Sequence, residues 1–389
     1  MRRSLAFAVL NFLMGLLLMY FSIDYGVVST LVYLGILLLI YKMFLGIDTR
    51  YCLFAVFGCI WMLISILGHY NAENMPFVSK EAICRGYVST ESVDKFGLSV
   101  YVCEIDKIVF NGMTYNNYKV RLTSKEKQKY SIVGERIEFR AKLGVQEVRD
   151  DGIDYRRYLY GKGIDYRSTC RRIKILKDGG SKFSKVRFDI IKAINSKKAL
   201  FLSRISPSAR GYFSGIIFGE KNLISSDVIE EFQDTGTAHI LAVSGLHIGI
   251  IYMIFTKLKT RLKLRNSVDF VLVLMLGIYI VLASFSISII RAVIIILLKI
   301  IADKLMMRFD FLTAISIAVL ISLINNPYNI FDVGLQLSFL SALIIVFIFP
   351  HIRRTRHRKL LEIMVLPIGL GAYNIVSFGQ FSLIAVLAN

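Results

Sequence analysis

The chain has 389 residues, of which 55% are hydrophobic, and its mean hydropathy is +0.58. A composition this apolar excludes an ordinary soluble globular protein and indicates several membrane-spanning helices. The formal net charge of +20 further indicates basic cytoplasmic loops, a surface that meets a polyanion, or both.

Three apolar runs open the chain, at about residues 5–23, 27–45 and 51–68. Each approaches the ~20 residues that a helix needs to cross a bilayer. The first run follows Arg2 and Arg3, and no small-residue cleavage site comes after it, so we interpret it as an uncleaved first span. Residues 1–70 are therefore predicted to form three transmembrane helices.

The polar segment that follows, residues 71–178, is predicted to be a small β-barrel of the OB type. Runs with alternating or β-branched apolar residues occur at 86–91, 98–110, 117–123 and 135–143. Asn111-Gly112 is a typical hairpin turn, and Gly134 marks a turn before the last of these runs. About five short strands in a segment of this length are typical of a closed OB-like barrel.

This barrel segment is basic, with 21 Lys and Arg against 14 Asp and Glu in residues 80–178. Tyrosine and phenylalanine are interleaved with the charges, and cations beside exposed rings are what single-stranded nucleic acid needs for its phosphates and bases. The alternative is that half of the rings face the barrel core and the charges form a solvated face. The predicted DNA-binding residues are Tyr101, Tyr115, Tyr118, Lys119, Arg121 and Tyr130.

Cys84, Cys103 and Cys170 lie in the same segment, and one disulfide is possible there if the segment faces an oxidising compartment. The sequence contains no Cys-x-x-Cys pair and no His-x-His-x-Asp-His run, so no metal site and no cofactor are predicted. It also lacks a Walker-type phosphate-binding motif, so a transport process would need an external source of energy.

Residues 179–236 are predicted to be amphipathic helices that lie in the membrane interface. In the stretch 181–205, an apolar helix face is expected from residues at helical spacing, with basic residues elsewhere. The apolar face is predicted to consist of Phe183, Val186, Ile190, Ile191 and Ile194.

Residues 237–389 are predicted to be a second transmembrane region. Apolar runs occur at about 238–256, 268–285, 287–302, 311–325, 332–349 and 364–388. The basic loops at 257–265, 303–308 and 351–359 fall on the same side as the N-terminus if the chain has nine spans. Since short basic loops stay in the cytoplasm, this predicts a cytoplasmic N-terminus and an external barrel.

Polar residues interrupt these runs at membrane depth, where they are costly unless they face protein, water or a solute. Ser244 and His247 have the spacing of a nucleophile and a base, but no carboxylate in the segment is placed to orient the base, so no catalytic residue is predicted. A structural role between helices and a role in lining a path both remain open. The predicted path residues are His239, Ser244, His247, Ser284, Ser286, Ser288, Arg291, Asp332, Gln336 and Ser338.

Arg291 lies in a run of isoleucine and valine, where a charge is rarely without a role. It can attract phosphate in a transport path. Alternatively, it snorkels toward the interface or forms an ion pair within the membrane, for which Asp332 is the obvious partner.

Four ordered sequence blocks, at 148–164, 218–251, 284–291 and 325–347, resemble the ComEC family of competence proteins. The second block contains Gly-Glu-Lys and His-Ile-Leu-Ala-Val-Ser-Gly-Leu-His, and the fourth contains Phe-Asp-Val-Gly-Leu-Gln-Leu-Ser-Phe. The first block departs from the family, because Asp150, Asp151 and Gly152 stand where the family has Asn-Pro-Gly.

The resemblance implies a polytopic α-helical protein of the bacterial inner membrane with an inserted extracellular OB-like barrel. Its implied function is a channel component, not an enzyme, that takes up single-stranded DNA during natural transformation. Implied partners are the lipid bilayer, single-stranded DNA and other competence proteins, including an ATPase, a DNA receptor and a separate nuclease protein.

Two other functions remain open at this stage. One is a membrane transporter or hydrolase that uses a cavity at His239, Ser244 and His247. The other is a non-functional truncated member, since the chain stops at Asn389 within the last conserved membrane region of the family. A short member, a split partner or a fragment would also end there.

Overall fold

The computed structural model describes residues 4–25, 52–93, 98–124, 131–145, 155–176, 181–220, 243–262, 265–352 and 358–378, together with a few positions between 224 and 232. The chain forms two compact units. The first comprises Met1–Ala72 and Ile294–Tyr373, and the second comprises Glu73–Val293 and Asn374–Asn389. The apolar run predicted at 27–45 lies outside the described residues, as do His239, Tyr130 and the turn at 150–152.

Most described residues outside the barrel are helical. A π-helical turn, Ser214–Phe218, follows the fifth helix, and a 3-10 turn, Pro327–Phe331, precedes the tenth. The helices are α1 (Ser4–Tyr25), α2 (Cys52–Glu73), α3 (Tyr155–Gly161), α4 (Lys182–Ser203), α5 (Pro207–Phe213), α6 (Gly245–Leu262), α7 (Arg265–Leu282), α8 (Ile287–Lys304), α9 (Phe311–Asn325), α10 (Val333–Phe347), α11 (Phe349–Ile352) and α12 (Arg358–Phe378).

Among the described residues, three helical stretches are long and apolar enough to cross a membrane: Leu5–Ser22, Leu53–Glu73 and Val333–Ile352. Two shorter apolar helices are Asn266–Leu282 and Phe311–Asn325. Helices therefore form at the apolar runs predicted near 5–23, 51–68, 268–285, 311–325 and 332–349. The count of nine spans and their orientation stay predictions.

The first unit has an apolar core that α1, α2, α9 and α10 share. Phe12, Met62 and Val319 are almost completely buried in it. Two glycines, Gly15 and Gly58, let α1 and α2 approach closely, because a Cβ at Gly15 would lie 1.9 Å from the Ala55 carbonyl oxygen. Small residues at such a crossing are typical of helices that pack in a membrane.

The second unit contains the barrel. Its strands are β1 (Glu81–Val93), β2 (Ser99–Phe110), β3 (Met113–Tyr115), β4 (Tyr118–Ser124), β5 (Arg136–Gly144), β6 (Tyr166–Cys170) and β7 (Lys174–Leu176). Five strands pair in the order β1-β2-β4-β6-β5, and β5 closes the ring by pairing with β1. Only β4 and β6 are parallel among these pairs. This closed five-stranded ring is the OB-like barrel that the sequence predicts.

Local sequence explains the ring. Asn111 and Gly112 have φ angles of 48° and 79°, which are the left-handed values that a two-residue hairpin needs between β2 and β3. Gly86 lies at a register shift in β1, where a Cβ would come within 2.1 Å of the Glu104 carbonyl oxygen. Both positions therefore depend on residues that tolerate unusual backbone geometry or close approach.

The barrel core contains Tyr101, Ile105, Leu122, Ile137 and Tyr166, each less than 3% exposed. Burial of one such side chain contributes about 1.5–3 kcal/mol. Buried positions on β4 and β5 alternate with positions that are partly or fully exposed, as expected for strands with one face on a core.

Helix α4 packs on this barrel through Phe188, whose ring stacks on Tyr87 at a centroid distance of 4.5 Å and an interplanar angle of 1°. Val281 and Phe285, at the end of α7 and just after it, pack against the same cluster. The apolar face predicted for α4 is therefore divided in the structure, and its position in the membrane interface stays a prediction. Ile191 is buried beside Phe188, whereas a separate exposed stripe consists of Phe183, Val186 and Ile190.

Candidate functional site

A basic groove of about 1180 Å³ lies on the outside of the barrel, along β5 and β6. Its described lining includes five cationic side chains and one acidic side chain, Glu81. The cations, hereafter the groove cations, are Arg140, Lys142, Arg167, Arg171 and Arg172.

Strand alternation places these cations on the outside. Arg140 and Lys142 are exposed on β5, between the buried residues Phe139, Ala141 and Leu143. On β6, Arg167 is likewise exposed between two buried neighbours. Since side chains two residues apart on a strand share a face, each strand contributes a row of outward polar groups.

The two strands pair over a short distance, which opens the groove. In the described part of the chain, the partners across this seam are Leu143 with Ser168 and Gly144 with Arg167. The Ser168 hydroxyl donates to the Lys142 carbonyl at 2.8 Å and holds the seam at its inner side. Gly144 has no side chain, and a Cβ there would meet nothing closer than the Arg167 carbonyl oxygen at 3.8 Å. No side chain therefore projects into the groove from this position.

The neighbouring strand β4 carries both of the predicted DNA-binding cations, Lys119 and Arg121. Arg121 is the register partner of Arg167, so the basic surface continues from β6 onto β4. Lys119 is exposed, and its backbone N–H donates to the Asp165 carboxylate at 2.8 Å. Burial raises the pKa of Asp165 from 3.8 to about 6, despite that hydrogen bond and the nearby charge of Lys119.

The predicted tyrosines have different positions. Tyr101 is completely buried in the barrel core, so its ring cannot stack on a base, and the prediction of a DNA contact there is wrong. Tyr115 and Tyr118 are half-buried. Their ring centroids lie 4.9 Å and 5.9 Å from that of Phe77, and Tyr118 also lies 5.4 Å from Tyr166. Both rings thus pack partly against other rings, in an aromatic cluster with Phe77 and Tyr166.

The cysteines of the barrel are buried free thiols in this structure. Burial raises the pKa of Cys84 to about 12 and raises that of Cys103 as well, so neither side chain is a ready thiolate. Among the described residues, no group of three or more His, Cys, Asp and Glu side chains could hold a metal ion.

Ser244 and His247 meet at the beginning of α6. The Leu246 backbone N–H donates to Ser244 Oγ at 3.3 Å, and the Ser244 backbone N–H donates to His247 Nδ1 at 3.2 Å. These bonds resemble a capping box: the Ser244 hydroxyl accepts from a backbone N–H of the first helical turn, and the side chain of His247, the third helical residue, accepts from the backbone N–H of Ser244. Ser244 Oγ also lies 3.4 Å from His247 Nδ1.

The predicted serines near Arg291 surround the connection between α7 and α8. Ser284 is exposed and has a φ of 52°, and Ser286 and Ser288 are half-buried. Arg291 is only 3% exposed, and its Nη2 donates to Ser288 Oγ at 3.3 Å. The structure therefore brings Ser288 and Arg291 together.

Asp332, Gln336 and Ser338 belong to the first unit. The Asp332 carboxylate accepts from the Leu335 backbone N–H at 2.7 Å and caps α10. Gln336 Nε2 donates to the Ile330 carbonyl at 2.6 Å, while its side-chain oxygen accepts from the Tyr373 hydroxyl. Ser338 is half-buried in the middle of α10. Two of these three side chains thus stabilise the start of α10, and a lining role for any of them stays a prediction.

Residues 216–389 match the family model described as "Competence protein". The ComE operon protein 3 of Bacillus subtilis (strain 168) is 26% identical over 243 residues. Over residues 216–389 the chain is therefore similar to the competence family of proteins. The alignment covers 61% of this chain but only 30% of the Bacillus protein, and no solved structure matches the chain.

All the predicted path residues lie inside the stretch that the family model matches. The barrel strands, from Glu81 to Leu176, precede that stretch. The family match therefore concerns the C-terminal part of the chain, and evidence for a role of the barrel comes from the surface of the barrel itself.

Sequence reasoning missed the groove cations. Arg140 and Lys142 alternate with apolar residues in the predicted strand, and this pattern already indicates an outward face. Two buried ion pairs were also missed, Lys198 with Glu220 and Lys259 with Asp269. Their partners are 22 and 10 residues apart in the chain, so no local spacing rule connects them.

Proposed function

We propose that this protein is a cell-membrane component of DNA uptake in natural transformation, through which single-stranded DNA enters. The observation that carries the proposal is the match of residues 216–389 to the competence family. The aligned region spans only 30% of the Bacillus relative, so channel activity and substrate are proposals for this chain.

The barrel supports a nucleic-acid substrate independently of the family. Its described groove has five cations against one acid, which is the charge balance that attracts a polyanion. The protein as a whole has a net charge of +20, which favours association with an anionic polymer.

In the membrane region, the proposed path includes Ser288 and Arg291, which contact each other. A buried arginine with a neighbouring hydroxyl offers donors to passing phosphates. Ser284 and Ser286 at the preceding turn extend this polar surface within the same unit. His239, which lies outside the described residues, and Ser338 remain proposed lining residues.

The proposed topology has a cytoplasmic N-terminus, nine spans and an external barrel. It rests on the basic loops at 257–265, 303–308 and 351–359, which anchor in the cytoplasm. DNA would then meet the barrel first and the membrane region second. Proposed partners are an ATPase, a DNA receptor and a separate nuclease protein, because the sequence has neither a nucleotide-binding motif nor a nuclease metal motif.

The proposal can be tested by titration of the full chain, purified in detergent micelles, into a fluorescein-labelled oligothymidylate. Fluorescence anisotropy should report binding at low salt, with log Kd rising linearly with log salt at about 0.7 per neutralised phosphate. The matched control is a peptide nucleic acid of the same bases, which has no phosphates and should not bind. Absence of binding at low salt, or equal affinity for the uncharged control, would contradict the proposal.

A further inference from the structure

We propose that the barrel holds the phosphate backbone of the single strand in the groove along β5 and β6, and not on the face formed by β2 and β4. The proposal rests on the proposed function and specifies where on the barrel the strand lies. It also specifies how: through phosphates, with little contact to the bases.

The first argument is the state of the cations. Two cations elsewhere on the barrel do face carboxylates: Arg85 lies 2.6 Å from Glu138, and Arg136 lies 3.5 Å from Asp106. Among the described residues, Lys142, Arg171 and Arg172 have no ion-pair partner, and all three are exposed.

The acid in the groove neutralises little of this charge. The distance between Arg140 Nε and Glu81 Oε2 is 3.9 Å, at the limit of an ion pair. Their side chains are 72% and 61% exposed, so water screens the interaction. The groove therefore keeps a net positive charge that a polyanion can neutralise.

The second argument is shape. The outward row Arg121, Arg167 and Gly144 crosses three strands and ends in a glycine, which leaves a channel instead of a ridge. Arg140 and Lys142 lie on one side of this channel, about 7 Å apart as next-but-one neighbours on a strand. Cations in a row beside a low floor suit an extended chain of phosphates better than a single small anion.

The third argument is the chemistry of the lining. The described lining contains no aromatic residue, but it does contain the hydroxyls of Ser79 and Thr169. Hydroxyls and guanidinium groups donate to phosphate oxygens, whereas base stacking needs rings. The rings of Tyr115 and Tyr118 pack against Phe77 in the aromatic cluster. We therefore expect binding that is almost independent of base identity.

The test compares two triple variants of the full chain in the anisotropy assay. The groove variant is Arg167→Gln, Arg171→Gln and Arg172→Gln. The control variant removes the same charge away from the groove, from β2, β4 and α4, through Lys107→Gln, Lys119→Gln and Lys197→Gln, which are all exposed positions. The groove variant should weaken binding at low salt at least about tenfold. It should also reduce the slope of log Kd against log salt by the amount that corresponds to about two phosphate contacts. The control variant should change Kd less than about threefold.

Equal weakening by both variants would show diffuse attraction and overturn the proposal, as would an unchanged Kd in the groove variant. An abasic oligomer with an intact phosphate backbone should bind the wild type within about threefold of oligothymidylate, because the groove supplies no ring on which a base could stack. If the wild type bound the abasic oligomer much more weakly than oligothymidylate, the bases would contribute to binding by stacking on aromatic rings. That result would contradict a groove that binds phosphates.

Two further outcomes separate the alternatives. If the wild type does not bind any oligonucleotide, the proposed function fails along with the groove. The second outcome concerns phosphatidylglycerol added to the micelles at constant ionic strength. If this lipid prevents the wild type from binding the oligonucleotide but does not prevent the groove variant from binding it, the groove binds anionic lipid head groups. That result would overturn the proposal. A thermal midpoint within about 2 °C of the wild type confirms that each variant is folded, since exposed substitutions change stability little.

Discussion

The ammonium group of Lys198 lies 2.5 Å from a carboxylate oxygen of Glu220, and the Lys198 side chain is only 7% exposed. The second carboxylate oxygen accepts from the Ser214 hydroxyl at 3.2 Å, and the ammonium group also donates to the Leu282 carbonyl at 3.4 Å. One buried ion pair thus ties together α4, the π-helical turn and the C-terminal end of α7.

Loss of one partner from this pair should destabilise the protein. Lys198→Ala leaves Glu220 as a partly buried carboxylate without its cation. Because the Glu220 side chain is 27% exposed, we expect the free energy of unfolding to fall by about 1–3 kcal/mol. This is less than the roughly 3–5 kcal/mol expected when a fully buried pair is broken. The measurement is the thermal midpoint of the full chain in detergent. The control is Lys197→Ala, which removes the exposed neighbouring lysine and should have little effect.

The double variant Lys198→Met, Glu220→Gln should recover part of the lost stability, because no uncompensated charge remains. If the thermal midpoint of the double variant is lower than that of Lys198→Ala, the effects of the two substitutions simply add. The two side chains would then not interact as described.

The crossing of α1 and α2 should tolerate no side chain at Gly15. A methyl group there would lie 1.9 Å from the Ala55 carbonyl oxygen, which is backbone and cannot rotate away. Gly15→Ala should therefore separate the helices and cost about 1–3 kcal/mol. Gly68→Ala on α2 is the matched control, since nothing lies within 4 Å of the position that its methyl group would take. Folded yield in detergent should fall for the first variant and stay level for the second; equal yields would contradict the close crossing.

Stability should depend on the protonation of Asp165. Its pKa is raised from 3.8 to about 6 by burial, so the folded chain binds this proton more tightly than the unfolded chain. The contribution of Asp165 to the free energy of unfolding is fully present below pH 3.8 and is lost as the pH rises through about 6. The rise of the Asp165 pKa from 3.8 to about 6 corresponds to a loss of about 1–3 kcal/mol in the free energy of unfolding.

Asp165→Asn keeps an acceptor for the Lys119 backbone N–H but removes the charge. The thermal midpoint of the wild type should decrease relative to that of this variant between about pH 4 and pH 6 and stay below it at higher pH. Asp189→Asn, at an exposed position on α4, should follow the wild type. A wild type that gains stability over Asp165→Asn as the pH rises would show the opposite sign.

The pair Ser244 and His247 should behave as a helix cap and not as a catalytic pair. Ser244→Asp and His247→Gln each preserve a capping acceptor, so both variants should keep the thermal midpoint. Ser244→Ala removes the acceptor and should cost about 0.5–2 kcal/mol. A nucleophile and base would instead be destroyed by all three changes. Any hydrolytic activity of the wild type that Ser244→Asp abolishes without loss of stability would support the enzyme alternative.

The barrel was predictable because its signals are local. Alternating runs and the turn at Asn111-Gly112 identify β1, β2, β4 and β5 without knowledge of their partners. Strand β6 escapes such reasoning, since its inward residues Tyr166, Ser168 and Cys170 include polar groups and form no clear apolar pattern. It is fixed by pairing with β4 and β5, which lie far away in the sequence.

The candidate site was less predictable for the same reason. Composition indicated basic residues and rings, but it could not distinguish the buried ring of Tyr101 from the half-buried ring of Tyr115. That distinction depends on which strand face meets the core. The groove unites residues 140–144 with residues 167–172, and only the seam between two strands brings them together.

The most direct test of the account is the uptake of radiolabelled DNA by cells from which the gene has been deleted. Cells with the gene should convert bound duplex DNA into nuclease-resistant internal single strands. Deletion should abolish the internal label while DNA still binds to the cell surface, and a plasmid copy of the gene should restore uptake. Undiminished internal label in the deletion strain would contradict a role for this protein in DNA entry.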